Sequence, residues 1–303
     1  MDAKVAIAVL AGPTASGKTS LAVEVAGLLG AEIVSADSQQ VYRGLDVGTA
    51  KPSAEERAAA PHHLLDVAEP GEGMDAARFA SLADQAIADI AARGRFPLVV
   101  GGTGLYLRTL LHGVVAAPGR DPALRARLEE EAARHGRGAL HARLAAMDPA
   151  AAARIRPNDL VRVVRALEIA AGGRTQSELF AAHGFAERRY RYRLLALDPP
   201  REELHRRIVA RAQAIARGGI LEEARALVAR FGAAPPRLPI GYAEAVACVR
   251  GELAPEDLAG RIAMLHRRYA RRQVIWLRRE PDVEWLRPPF DAVAVARMCR
   301  TAP

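Results

Sequence analysis

Val5-Ala6-Ile7-Ala8-Val9-Leu10, followed almost at once by Gly12-Pro13-Thr14-Ala15-Ser16-Gly17-Lys18-Thr19, decides the fold. The first run is short and apolar throughout, as a parallel strand buried on both faces must be. The second is a complete G-x4-G-K-[ST] motif. It sits between a predicted strand and a predicted helix that carries Leu21, Val25, Leu28 and Leu29 on one face. In that setting the glycines let backbone N–H groups converge on phosphate oxygens, and the helix N-terminus adds its partial positive charge. Lys18 is placed for the terminal phosphate and the Thr19 hydroxyl for Mg²⁺. The motif calls for a diphosphate or triphosphate and does not by itself specify ATP.

Outward from that stretch the pattern repeats. Ala31 to Ala36 reads as a second strand ending at Asp37, Phe79 to Ala92 as an amphipathic helix, and Pro97 to Val100 as a third strand ending in Gly101-Gly102-Thr103-Gly104. Strands alternating with helices at short spacing predict an α/β fold, a P-loop core with a parallel sheet flanked by helices. From Ala116 to about Arg189 only helical periodicity appears, interrupted by Pro118, Pro149 and Pro157. Strand character resumes at Tyr192 to Leu197. The expected organisation is therefore a core of residues 1–115 and 190–303, with an all-helical insertion domain at 116–189. The remainder reads as helices at Pro200–Arg217, Leu221–Arg230 and Pro255–Arg279.

Composition narrows the function. The 303 residues are 50% hydrophobic, which excludes a disordered or collagen-like chain, and 5% aromatic, too few for rows of base-stacking platforms. No apolar run approaches the ~20 residues of a membrane span. Met1–Leu10 reads as a first strand and not as a signal peptide, so a cytoplasmic protein is expected. The net charge of +8 favours an anionic partner. Lysine occurs only at positions 4, 18 and 51, so arginine carries nearly all the positive charge. Cys248 and Cys299 have no metal spacing, and His62-His63 lacks a third ligand, so these histidines are expected to be structural.

Asp37 should lie beside the phosphate loop, because ligands of open parallel sheets bind at the carboxyl ends of strands. A carboxylate there is a candidate general base or Mg²⁺ partner. No acid ends the strand Pro97–Val100, which argues against a nucleotide-hydrolysing motor. The run Asp37 to Pro52 is polar, glycine-punctuated and too long for a tight turn, and Gln39 and Gln40 carry amides suited to base edges. Two readings follow from these residues alone: a small-molecule or nucleotide kinase using Arg206, Arg207 and Arg211, and a non-catalytic RNA binder, which the intact phosphate loop disfavours.

Gly12–Thr19, Asp37–Pro52, His62–Asp66, Gly101–Tyr106, Asn158–Glu168, Ile240-Gly241-Tyr242 and Arg272-Gln273-Val274-Ile275-Trp276 occur in an order that resembles the tRNA dimethylallyltransferases, or tRNA isopentenyltransferases, over nearly the whole chain. Ala243, after the Gly-Tyr pair, and Arg271-Arg272-Gln273-Val274-Ile275-Trp276, where the family commonly shows K-R-Q-x-T-W, depart from the common pattern. The resemblance implies transfer of a dimethylallyl group from dimethylallyl diphosphate to N6 of the adenine just 3′ of the anticodon, position 37 of the tRNA. It implies that Gly12–Thr19 and Arg211 hold the diphosphate with Mg²⁺, and that Asp37 is the general base. It further implies that the anticodon stem-loop meets Asp37, Ser38, Gln39, Gln40, Thr103, Arg125, Val161, Arg162, Val163, Val164, Arg165, Gly241, Tyr242 and Gln273. The expected state is a monomer. On the last long helix, Arg261, Arg268, Arg272 and Arg279 form one stripe and Arg267, Arg271 and Arg278 a second, while Ile262, Leu265, Tyr269 and Trp276 are expected to face the core. Either stripe is suited to phosphate contact.

Overall fold

The computed structural model describes residues 4–232 and 238–301; the first three residues of the Met1–Leu10 segment lie outside this range. The chain divides into two compact units, residues 1–111 with 188–303, and His112–Glu187.

The first unit is built on a six-stranded parallel sheet. In chain order its early elements are β1 (Ala6–Ala11), α1 (Lys18–Leu29), β2 (Ala31–Ala36), α2 (Ala54–Ala59), β3 (His62–His63), α3 (Ala76–Ala92), β4 (Phe96–Gly101) and α4 (Gly104–His112). After the helical unit, which comprises α5 (Pro122–His135), α6 (Arg137–Met147), α7 (Pro149–Arg154), α8 (Leu160–Ala171) and α9 (Gln176–His183), come β5 (Arg191–Leu197), α10 (Arg201–Arg217), α11 (Ile220–Phe231), α12 (Tyr242–Val249), α13 (Pro255–Leu277), β6 (Val283–Leu286) and α14 (Ala292–Arg300). The strand order is β3-β2-β4-β1-β5-β6. β1 is therefore central, with Ala11 in register with Gly101 of β4 and Ala196 of β5. The two-residue β3 was not expected from sequence, because two histidines carry no strand periodicity.

Strand residues alternate between two apolar layers. Ile7, Val9 and Ala11 pack with Phe79, Ile87 and Leu107 of α3 and α4. Ala8 and Leu10 pack with Leu21 and Val25 of α1 and Val295 and Cys299 of α14. Burial on both faces explains why β1 is apolar at every position. Phe79 is fully buried and stacks on Tyr106 at 4.2 Å, so Phe79→Ala is expected to cost about 3–5 kcal/mol. A third apolar cluster joins α10, α11, α12 and α13 through Ile208, Ile215, Leu227, Tyr242 and Ile262.

The helical unit has its own core of Leu128, Leu140, Leu144, Val163, Val164 and Leu167. It spans 112–187, whereas the break in periodicity suggested 116–189. Arg189 belongs to the sheet unit, because its backbone N–H donates to Leu111 O (3.0 Å) and its guanidinium grips Asp84 (2.6 Å). Within the described residues, no helix is long and apolar enough to cross a membrane.

Candidate functional site

The carboxyl ends of β1, β2 and β4 open into one cavity lined by Thr14, Lys18, Thr19, Asp37, Gln40 and Arg211, among others. Three sequence features place these groups together. The loop after β1 turns through Gly17, whose φ of 91° suits glycine and which stands as N-cap of α1 without any side-chain cap. The start of that helix is thus left to an incoming anion. β2 ends at Ala36, so Asp37 is the first residue to emerge at the same edge. α10 then brings Arg211 across from the far half of the chain.

The electrostatics fit an anion. Lys18 Nζ rests on the carbonyl of Pro13 at 2.8 Å. Burial pushes its pKa down to about 8, against the pull of Asp37 and with the push of Arg211. Burial also lowers the pKa of Arg211, with Asp37 opposing. The cavity therefore gathers two cations against one carboxylate, a surplus of positive charge. Ser16 Oγ, Arg211 Nε and His266 Nδ1 are buried without hydrogen-bond partners. Two of the three belong to the loop and to the cavity wall. Unpaired buried polar atoms are rare in folded proteins, and an anion in the cavity would give Arg211 Nε a partner. Asp37 accepts the N–H of Gln39 on Oδ1 at 2.8 Å, and its Oδ2 has no hydrogen bond to any described residue.

Several residues assigned to tRNA from sequence have internal work instead. Gln273 is 4% exposed; its Oε1 accepts the N–H of Thr14 (2.8 Å) and its Nε2 donates to Gly102 O (3.0 Å). It ties the phosphate loop to the loop after β4. Gly102 is glycine for this reason, since a Cβ there would lie 2.1 Å from Gln273 Nε2. Tyr242 is fully buried, with its hydroxyl on Glu223 (2.6 Å), and Gly241 is the left-handed N-cap of α12. Val163 and Val164 lie in the core of the helical unit, whereas Val161 and Arg162 are exposed. Their spacing to Leu167 was the available signal. Arg125 grips the buried Glu168 at 2.7 Å, and Arg165 donates to Pro118 O at 2.7 Å. The Gln40 amide is spent on Ala50 O and Ser35 Oγ, and Gln39 Oε1 accepts the N–H of Ile240.

Ser38 and Thr103 do meet: Thr103 Oγ1 accepts the Ser38 N–H at 2.9 Å, with the Tyr269 hydroxyl 3.5 Å away. Burial and the charge of Asp37 push the Tyr269 phenol up to about 12. Tyr269, Leu265 and Trp276 are half-buried and only Ile262 is fully enclosed, while all seven arginines of the two stripes are exposed. His62 and His63 bond Ala60 O and Glu32 (both 2.7 Å). Of the arginines expected around a transferred phosphate, only Arg211 lines the cavity; Arg206 pairs with Glu203, and Arg207 divides between Glu203 and Ser16 O. Sequence reasoning missed Glu223, Gln273 as a brace, and the clasp of buried Lys51 on Tyr42 O, Asp46 and Asp66.

The parallel sheet with β1 at its centre, and the loop that leads from it into α1, define the class: P-loop α/β proteins. Within that class, residues 40–280 match the IPP transferase family. A tRNA dimethylallyltransferase of Anaeromyxobacter sp. (strain Fw109-5) is 76% identical over 290 residues, 95% of this chain and 97% of the relative. The crystal structure of the full-length tRNA isopentenylpyrophosphate transferase from Bacillus halodurans is similar over 98% of this chain and 96% of its own, with a TM-score of 0.71 and 35% identity. A eukaryotic dimethylallyltransferase described as acting on tRNA matches 93% of this chain and 74% of its own, with a TM-score of 0.76 and 27% identity. The chain belongs to the IPP transferase family, and its curated relatives of high identity are tRNA dimethylallyltransferases.

Proposed function

We propose that this enzyme transfers the dimethylallyl group of dimethylallyl diphosphate to N6 of the adenine immediately 3′ of the anticodon in tRNA. One observation carries the reading at the level of residues: Lys18, Arg211 and the uncapped start of α1 share a cavity with the strand-end carboxylate of Asp37. An exocyclic adenine nitrogen is a weak nucleophile, so the site must align it with the allylic carbon and stabilise the leaving group. The C–O bond to the diphosphate breaks as the C–N6 bond forms. Asp37 Oδ2 takes the N6 proton, while Oδ1 stays anchored on the Gln39 N–H. Lys18, Arg211 and the loop N–H groups receive the negative charge of pyrophosphate. The target base must leave its stack to reach the carboxylate.

Mg²⁺ fits the donor set. Thr19 offers a hard oxygen ligand in the cavity, and no group of three or more His, Cys, Asp or Glu among the described residues forms a cage. That suits an ion held largely by water and substrate oxygens, which would neutralise charge on the diphosphate. The helical unit serves as the tRNA-binding element. Between His112 and Glu187 the sequence has 11 arginines against nine acids. Arg162 is 73% exposed, with a 3.5 Å contact to Asp159, and is open to a phosphate. The enzyme acts as a cytoplasmic monomer in this reading.

The test is to offer labelled dimethylallyl diphosphate or ATP with unmodified tRNA, with AMP, or alone. Label from dimethylallyl diphosphate should appear in tRNA adenosine and nowhere else. Transfer to AMP, or phosphoryl transfer from ATP, would overturn the assignment.

A further inference from the structure

Glu223 lies in the first turn of α11, where an acidic side chain is unremarkable in sequence. Its surroundings are not ordinary. One carboxylate accepts the N–H groups of three successive residues, Asp46 (2.7 Å), Val47 (2.9 Å) and Gly48 (3.2 Å), and also the hydroxyl of Tyr242 (2.6 Å). Consecutive N–H groups that converge in this way form a concavity for an anion, here filled from within the protein. Tyr242 closes the other side. A Cβ at Gly48 would lie 2.5 Å from its ring, so only glycine admits the contact. Burial and Glu223 hold the phenol well above its ordinary range, so it remains a donor.

The next residue connects this arrangement to the cavity. Thr49 is buried, its hydroxyl donates to Leu45 O at 2.6 Å, and its carbonyl accepts Arg211 Nη2 at 3.1 Å. That is the single hydrogen bond of Arg211 among the described residues, and Arg211 Nε has none. The direction of the guanidinium therefore depends on where the Thr49 carbonyl stands, and that depends on the loop gripped by Glu223. With four donors on its carboxylate, Glu223 does not compete for Arg211.

We infer that Glu223 is a positioning residue for the donor diphosphate: it fixes the loop of residues 46–49 so that the Thr49 carbonyl aims Arg211 at the phosphates. This rests on the reading of Arg211 as a diphosphate ligand. It makes Glu223, which does not line the cavity, a determinant of donor affinity.

Steady-state kinetics on the full-length enzyme, with both substrates varied, test it in Arg211→Ala, Glu223→Gln and the double variant. Glu223→Gln should raise KM for dimethylallyl diphosphate roughly tenfold, within the range that a small misplacement produces, and leave KM for tRNA within a factor of two. Arg211→Ala should raise the same KM further. The double variant should be no worse than Arg211→Ala alone, because Glu223 acts through that side chain. An unchanged donor KM in Glu223→Gln, or additive effects in the double variant, reduces Glu223 to a structural cap and leaves the Arg211 reading intact. A normal donor KM in Arg211→Ala removes that reading and the inference with it. Should Glu223→Gln fail to fold, Tyr242→Phe removes one of the four donors and should give a smaller rise in the same constant; an unchanged donor KM there overturns the inference.

Discussion

Replacing Gln273 with leucine tests whether this side chain braces the phosphate loop or docks RNA. The substitution keeps the volume close and removes both hydrogen bonds, to Thr14 N–H and to Gly102 O. Both are main-chain groups at a residue that is 4% exposed, so water cannot replace the amide. Each orphaned group costs about 1–3 kcal/mol, and the added apolar surface returns part of that. The net expectation is a loss of about 2–4 kcal/mol. At roughly 2 °C per kcal/mol for a chain of this length, the melting temperature should fall by roughly 4–8 °C. Because Thr14 lies in the loop itself, affinity for inorganic pyrophosphate should fall as well, while affinity for tRNA should not. Calorimetric melting together with titrations of pyrophosphate and of tRNA reads all three quantities. A melting temperature within 1 °C of the parent, or a loss confined to tRNA affinity, would refute the brace and restore Gln273 to the RNA surface.

Lys18 gives a pH dependence. Its folded-state pKa of about 8 lies below the ordinary 10.5, so between those values the unfolded chain holds a proton that the fold has shed. Raising pH through that window stabilises the fold, yet donor affinity should drop by up to about tenfold per pH unit above 8, since the cation binds the diphosphate. Pyrophosphate titrations from pH 7 to 10 measure this, and Lys18→Ala should flatten the profile. Asp37→Asn should retain pyrophosphate affinity and slow single-turnover transfer by ~10²–10⁴ with both substrates saturating; a rate within a few-fold of the parent would make Asp37 a turn residue. Arg162→Gln should lower the slope of log K against log[salt] for tRNA by about 0.7–0.9, one phosphate contact. Arg165→Gln should instead cost stability, because that guanidinium is tied to Pro118 O; binding isotherms across a salt series separate the two.

The parts legible in sequence are those encoded by neighbours along the chain. The apolar run Val5–Leu10, the loop Gly12–Thr19 and the strand-end position of Asp37 are local patterns, and the cavity is built on them. Arg211 came from resemblance, since nothing local distinguishes it from the other arginines of α10. Gln273 and Glu223 were unreadable for a physical reason. Each acts on main-chain groups far away, Gln273 on Thr14 and Glu223 on Asp46 to Gly48, and a main-chain N–H leaves no mark on the sequence. Val163 and Val164 are a different case. Their spacing to Leu167 marks the inner face of α8, and the motif-based reading overrode it.

The bond between Gln273 and Thr14 joins residues 259 positions apart. A ribosome adding about 5–20 residues per second needs roughly 13–50 s to cover that interval. For that time the phosphate loop has been made but lacks its brace, and Gly102 O lacks its donor. α13 is made after the loop and after β4, so the donor site is completed only once Gln273 has been added. The diphosphate site of a nascent chain is thus unfinished until α13 has been made.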